Sequence, residues 1–66
     1  MKNRVHDLRI QLEMPQNRLA DLCGVSRQTI HAIEVGKYQP TITLALKLAK
    51  HLKSKVEILF ELQKGD

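Results

Sequence analysis

Apolar residues recur along this 66-residue chain at the spacing of helices rather than strands. Val5, Leu8 and Leu12 fall three and four apart, predicting a first helix over about Arg4–Glu13 with Asn3 as its cap. Leu19, Ala20 and Leu22 predict a second over about Gln16–Cys23, with Pro15 preset for its start. Val25, Ile30 and Ile33 then predict a third over about Ser26–Val35, closed by Gly36. Lys37–Pro40 reads as a loop. Leu44, Leu48 and Leu52 share a face, with Ala45 and Ala49 beside them, predicting a fourth helix over Ile42–Leu52 capped by Thr41. A fifth, short helix is expected over Val56–Phe60, capped by Ser54 or Lys55. Phe60–Gln63 alternates apolar and polar, as a short strand would against the N-terminus or a second copy. Five helices without linker or repeat predict an all-α fold, with residues 1–66 as one domain.

The stretch QNRLADLCGVSRQTIHAIE, Gln16 to Glu34, has the form of two short helices meeting at a tight turn. That is the pattern of a helix-turn-helix that places its second helix in the DNA major groove. Ala20 is small enough for close helix crossing, and Gly24 permits the left-handed backbone that ends the first helix. Ser26 stands where an N-cap belongs. At about 100° per residue, Ser26, Ile30 and Ile33 share the side facing the core. Gln28, His31, Ala32 and Val35 fall opposite, with Arg27 and Thr29 at the boundary near the end that enters the groove first. Arginine pairs bidentately with guanine O6/N7 and glutamine with adenine N6/N7, so Arg27, Gln28, His31 and Ala32 are the candidate base contacts.

In these residues the chain resembles the phage-repressor and Cro type of helix-turn-helix, narrowly the short stand-alone regulators of the xenobiotic-response-element group. The resemblance is carried by RIQLEMPQ (Arg9–Gln16), LADLCGVSRQTIHAIE (Leu19–Glu34), GKYQP (Gly36–Pro40) and LALKLAKHL (Leu44–Leu52), and runs from Val5 to Phe60. It implies a five-helix, lambda-repressor-like fold that binds operator DNA as a dimer. It also implies that Gln16 caps its helix and clamps a phosphate while Arg27, Gln28 and Ala32 face base edges. Arg9 and Glu34 stand where the resembled repressors tie the first helix to the recognition helix with an ion pair. Ala32 is shorter than the polar residue often found in relatives, which leaves it a thymine methyl to touch. Met14 and Pro15 replace the usual polar approach to the second helix.

Phosphate contacts follow from where helices begin and end. Gln16 opens the second helix, whose free N–H groups and positive dipole end can hold a phosphate. Lys37 and Tyr38 leave the recognition helix near the opposite strand, Thr41 opens the next helix, and Arg18 reaches the near side. Ser26 and Thr29 complete this set. Lys47, Lys50, Lys53 and Lys55 read as solvated residues that add only to the general field.

Composition narrows the partners. Eleven Lys and Arg against seven Asp and Glu give a net charge of +4, which favours a polyanion. Aromatic residues are 3% of the chain, too few for the stacking platforms that hold single-stranded nucleic acid, so double-stranded DNA is the expected partner. Cys23 is alone and reads as a buried thiol, with Asp21 raising its pKa against a redox role. No apolar run spans a membrane, and cytoplasmic placement is expected. His6, His31 and His51 lack ligand spacing, and no nucleophile–base pair or glycine-rich phosphate loop is present. A non-enzyme without metal, cofactor or small-molecule ligand is expected. Ile58, Leu59, Phe60 and Leu62 crowd the C-terminus beyond what one short helix buries, so Ile58, Phe60 and Leu62 are assigned to a homodimer interface. The leading reading is a transcriptional regulator, a repressor on a palindromic operator. The alternative is a protein-interaction module, an antitoxin or adaptor, on the same fold.

Overall fold

A computed structural model describes residues 1–66 in full. The order is β1 (Lys2–Asn3), α1 (Val5–Gln11), α2 (Gln16–Cys23), α3 (Arg27–Glu34), α4 (Ile42–His51), α5 (Val56–Leu59) and β2 (Phe60–Glu61). Local chemistry accounts for the middle three helices. Ser26 Oγ accepts from Thr29 N at 3.1 Å and Thr41 Oγ1 from Leu44 N at 3.2 Å, N-caps that each contribute about 1 kcal/mol. Gly24 ends α2 at φ 71°, a left-handed conformation in which a side chain is strained.

The core is one cluster in which Val5, Leu19, Ile30, Ile33, Leu48 and Leu59 are fully buried. α2 packs against both α3 and α4, so the helix-turn-helix rests on the fourth helix. Leu8, Met14, Val25, Val56 and Phe60 close the edges of the cluster.

Three expectations about this frame are corrected. The first helix ends at Gln11, not Glu13: Glu13 turns left-handed at φ 54° and Met14 N bonds back to Arg9 O, which puts Leu12 past the helix end and in solvent. Lys53 ends α4 in the same way, at φ 56°. Asn3 is not the N-cap of α1, a position held by Arg4; it lies in β1, and its Oδ1 accepts from Val5 N at 3.2 Å. Of the two partners expected for the C-terminal strand, it takes the N-terminus: β2 is antiparallel to β1, with Lys2 opposite Glu61 and Asn3 opposite Phe60. Leu59, counted among the crowded residues, is fully buried in the core. Asp66 closes the ribbon, accepting from Gln63 N at 2.8 Å and from the Met1 ammonium at 3.2 Å. Those bonds, the backbone one foremost, hold its carboxyl below the ordinary range.

Candidate nucleic-acid interface

The recognition helix α3 is anchored on one side and open on the other. Ile30 and Ile33 are buried, whereas Arg27, Gln28 and His31 are exposed. Ser26 is also exposed, not core as its helical angle suggested, because a capping residue leaves the helix with extended backbone. Ala32 is half-buried rather than open, its methyl too short to stand clear of its neighbours. Gln16, Arg27, Gln28 and His31 line one cleft of about 220 Å³ that contains no apolar residue. Three of the four candidate base contacts therefore meet in one polar notch across α2 and α3.

Behind the notch lies a charged network. Arg9 Nε donates to Glu34 Oε2 at 2.7 Å and Arg9 Nη2 to Glu34 Oε1 at 3.2 Å, with the two side chains 8% and 4% exposed. The third guanidinium nitrogen donates to Met14 O at 2.8 Å, which fixes the turn between α1 and α2. Every buried side-chain nitrogen and oxygen is paired.

Glu34 also sets Gln16. A carboxylate only accepts, so Gln16 must turn its NH₂ toward Glu34 Oε1, 3.0 Å away. The same nitrogen lies 3.4 Å from His31 Nδ1. Gln16 was expected to cap α2, but the capping position is Pro15 and no side chain caps that helix. With its amide donors turned inward, the donors left at this helix start are the Gln16 and Asn17 backbone N–H groups.

A second recess, about 300 Å³, lies where α2, α3 and α4 converge. Thr29, Tyr38 and Thr41, three of the expected phosphate contacts, line it together. Lys47 lines it too, although its sequence context suggested a solvated residue. Thr43 and Lys47, four apart, share one face of α4 and both line this recess. Arg18 and Lys37 border neither hollow and stay exposed on α2 and after α3. Cys23 forms the floor at 3% exposure. Burial pushes its thiol pKa up and Lys47 partly opposes this, so desolvation rather than Asp21 keeps it protonated.

Of the expected interface residues, Ile58 and Leu62 are exposed at 50% and 78%, while Phe60 is half-buried against the core. Ile42 and Leu46, one turn apart on α4, are exposed at 69% and 58% and form an apolar stripe. No group of His, Cys, Asp and Glu could hold a metal ion, and no helix is long and apolar enough to cross a membrane.

These features define a helix-turn-helix DNA-binding protein, and comparison with known proteins agrees. A helix-turn-helix family model matches residues 5–59. The chain is 44% identical over 63 residues to an uncharacterised HTH-type transcriptional regulator of Bacillus subtilis, covering 96% of both chains. A second uncharacterised HTH-type transcriptional regulator, from Methanocaldococcus jannaschii, is 48% identical over 60 residues, 91% of each chain. The restriction-modification controller protein C.AhdI from Aeromonas hydrophila superposes with a TM-score of 0.79 at 32% identity, over 86% of each chain. The chain belongs to the helix-turn-helix family of the Cro/C1, xenobiotic-response-element type, whose members here are transcriptional regulators.

Proposed function

We propose that this protein represses transcription by binding a palindromic operator as a homodimer, with residues 1–66 acting as one DNA-binding domain. The observation that carries this is the polar notch of Gln16, Arg27, Gln28 and His31 on a helix whose opposite side is locked into the core. Arg27 and Gln28 read base edges, His31 offers a further polar contact, and Ala32 meets a thymine methyl. Thr29, Tyr38, Thr41 and Lys47 hold the backbone on one side, joined by Lys37 and Ser26. Arg18 and the free N–H groups at Gln16 hold it on the other. Ile58 and Leu62, flanked by Phe60, form the contact between copies, since exposed apolar surface of this kind marks a partner. Such a protein works in the cytoplasm on chromosomal DNA.

Two substitutions separate reading from holding. Arg27→Ala should cost about 1–3 kcal/mol and relax base preference at one position of each half-site. Lys47→Gln should weaken binding to all duplexes alike and flatten the log–log salt slope by about 0.9 per protomer. Titration of both variants against the preferred site and scrambled duplex checks this. Equal loss on both duplexes for Arg27→Ala would remove it from base readout.

A second reading keeps the fold without DNA. The stripe of Ile42 and Leu46 favours a protein-interaction module, an antitoxin or adaptor, in which apolar surface rather than the notch is the working face. Arg27→Ala would then leave partner binding unchanged.

A further inference from the structure

Asn3 touches three parts of the fold at once. Its backbone lies in β1 opposite Phe60, and the next residue's N–H donates to Leu59 O at 2.8 Å. Its Oδ1 accepts from Val5 N at the start of α1, at 3.2 Å. Its Nδ2 donates to Ile33 O, in the last turn of the recognition helix, at 2.8 Å. That carbonyl already accepts from Gly36 N at 3.0 Å, so the helix end does not need the second bond for its own satisfaction. What the bond adds is direction: it joins the terminal ribbon to α3.

We propose that Asn3 is a positioning residue that fixes the angle between the recognition helix and the C-terminal segment bearing Ile58 and Leu62. The inference rests on the dimeric operator-binding reading above, and names what sets half-site spacing within it. If copies meet through α5 and β2, each α3 is placed relative to the two-fold axis through Phe60, the Asn3 backbone and the Asn3 amide. Packing of Ile30 and Ile33 is non-directional, and the directional Arg9–Glu34 pair ties α3 to α1 rather than to the ribbon. Recognition helices about 34–36 Å apart lie roughly 17 Å from the axis, so a tilt of about 5° moves a reading side chain by about 1.5 Å. That exceeds the roughly 0.5 Å tolerance of a working polar contact. The amide suits the position chemically, because it offers an acceptor to Val5 and a donor to Ile33 from one short side chain.

The test uses the full chain with Asn3→Asp, which keeps an acceptor for Val5 N but sets a carboxylate against Ile33 O at the negative end of α3. Asn3→Ser, too short to reach Ile33 O, serves as the milder variant. Each is titrated, at a temperature where circular dichroism shows a full fold, against inverted repeats of varied spacing and against a single half-site. The expected result is a loss of about tenfold or more at the best spacing, a flattened spacing preference, and less than about threefold change on the half-site. Equal loss on both duplexes, or an unchanged spacing profile, overturns the proposal. Residual dipolar couplings of the free variants decide independently of DNA. Reorientation of α2, α3 and α4 as one body against the β1–β2 ribbon supports the tether, and unchanged couplings overturn it. A parent chain with no preference for inverted repeats would defeat the dimeric reading, while the couplings would still decide the tether.

Discussion

Glu34→Ala is expected to remove about 3–5 kcal/mol of stability and operator binding together. The carboxylate takes two bonds from Arg9 and one from Gln16, with its side chain 4% exposed. Removing it strands a guanidinium, itself buried at 7% residue exposure, with only Met14 O as partner. Leaving one charge unpaired costs far more than the intact pair contributes, since desolvation offsets much of the Coulomb gain. For a domain of this size each kcal/mol moves the melting temperature by roughly 4–8 °C, so a fall of at least about 12 °C is expected. The double variant Arg9→Met, Glu34→Leu should recover most of that stability, because apolar replacement of a buried pair is often neutral or better. It should not recover DNA binding, since apolar packing is non-directional and no longer fixes α3 against α1 as the bidentate pair does. An unchanged melting temperature in Glu34→Ala would contradict the buried pair; restored binding in the double variant would contradict its aiming role.

Raising monovalent salt from 50 to 200 mM is expected to weaken operator binding by about 10³- to 10⁴-fold. Arg18, Arg27, Lys37 and Lys47 supply four exposed cations per protomer along the two sides of the notch. About three to four phosphates neutralised per half-site give a dimer a log–log slope of roughly −5 to −7. The effect exceeds that of any single base contact because counterion release sums over both half-sites. Fluorescence anisotropy at four or five salt concentrations measures the slope. A slope near zero would rule out a polyanion as the ligand of this surface.

What the sequence could reveal tracks how local each cause is. Ser26, Thr41 and Gly24 act within four residues, so α2, α3 and α4 were legible from caps and periodicity, as was the exposure of Arg27 and Gln28. Leu12 misled because its spacing fits a helix that the left-handed Glu13 ends earlier. Asn3 looked like a simple cap because its second partner, Ile33 O, is thirty residues away. Gln16 pointed to phosphate because nothing nearby shows that Glu34, eighteen residues on, takes its amide. Lys47 looked solvated until α4 brought it beside Thr29 and Tyr38. The tail shows the same limit: Leu59 and Ile58 are equally apolar, yet one is fully buried and the other half exposed. One residue of helical phase separates those outcomes, and only the packed fold sets the phase.

The most direct test of the central claim is selection of random duplex DNA by the purified protein, followed by titration of the winning sequence. The expected product is an inverted repeat with half-site centres about 10 bp apart, bound about 10³-fold or more over random duplex. Recovery of no enriched sequence, with only weak salt-sensitive binding, would contradict the account and transfer the working face to the apolar stripe of Ile42 and Leu46.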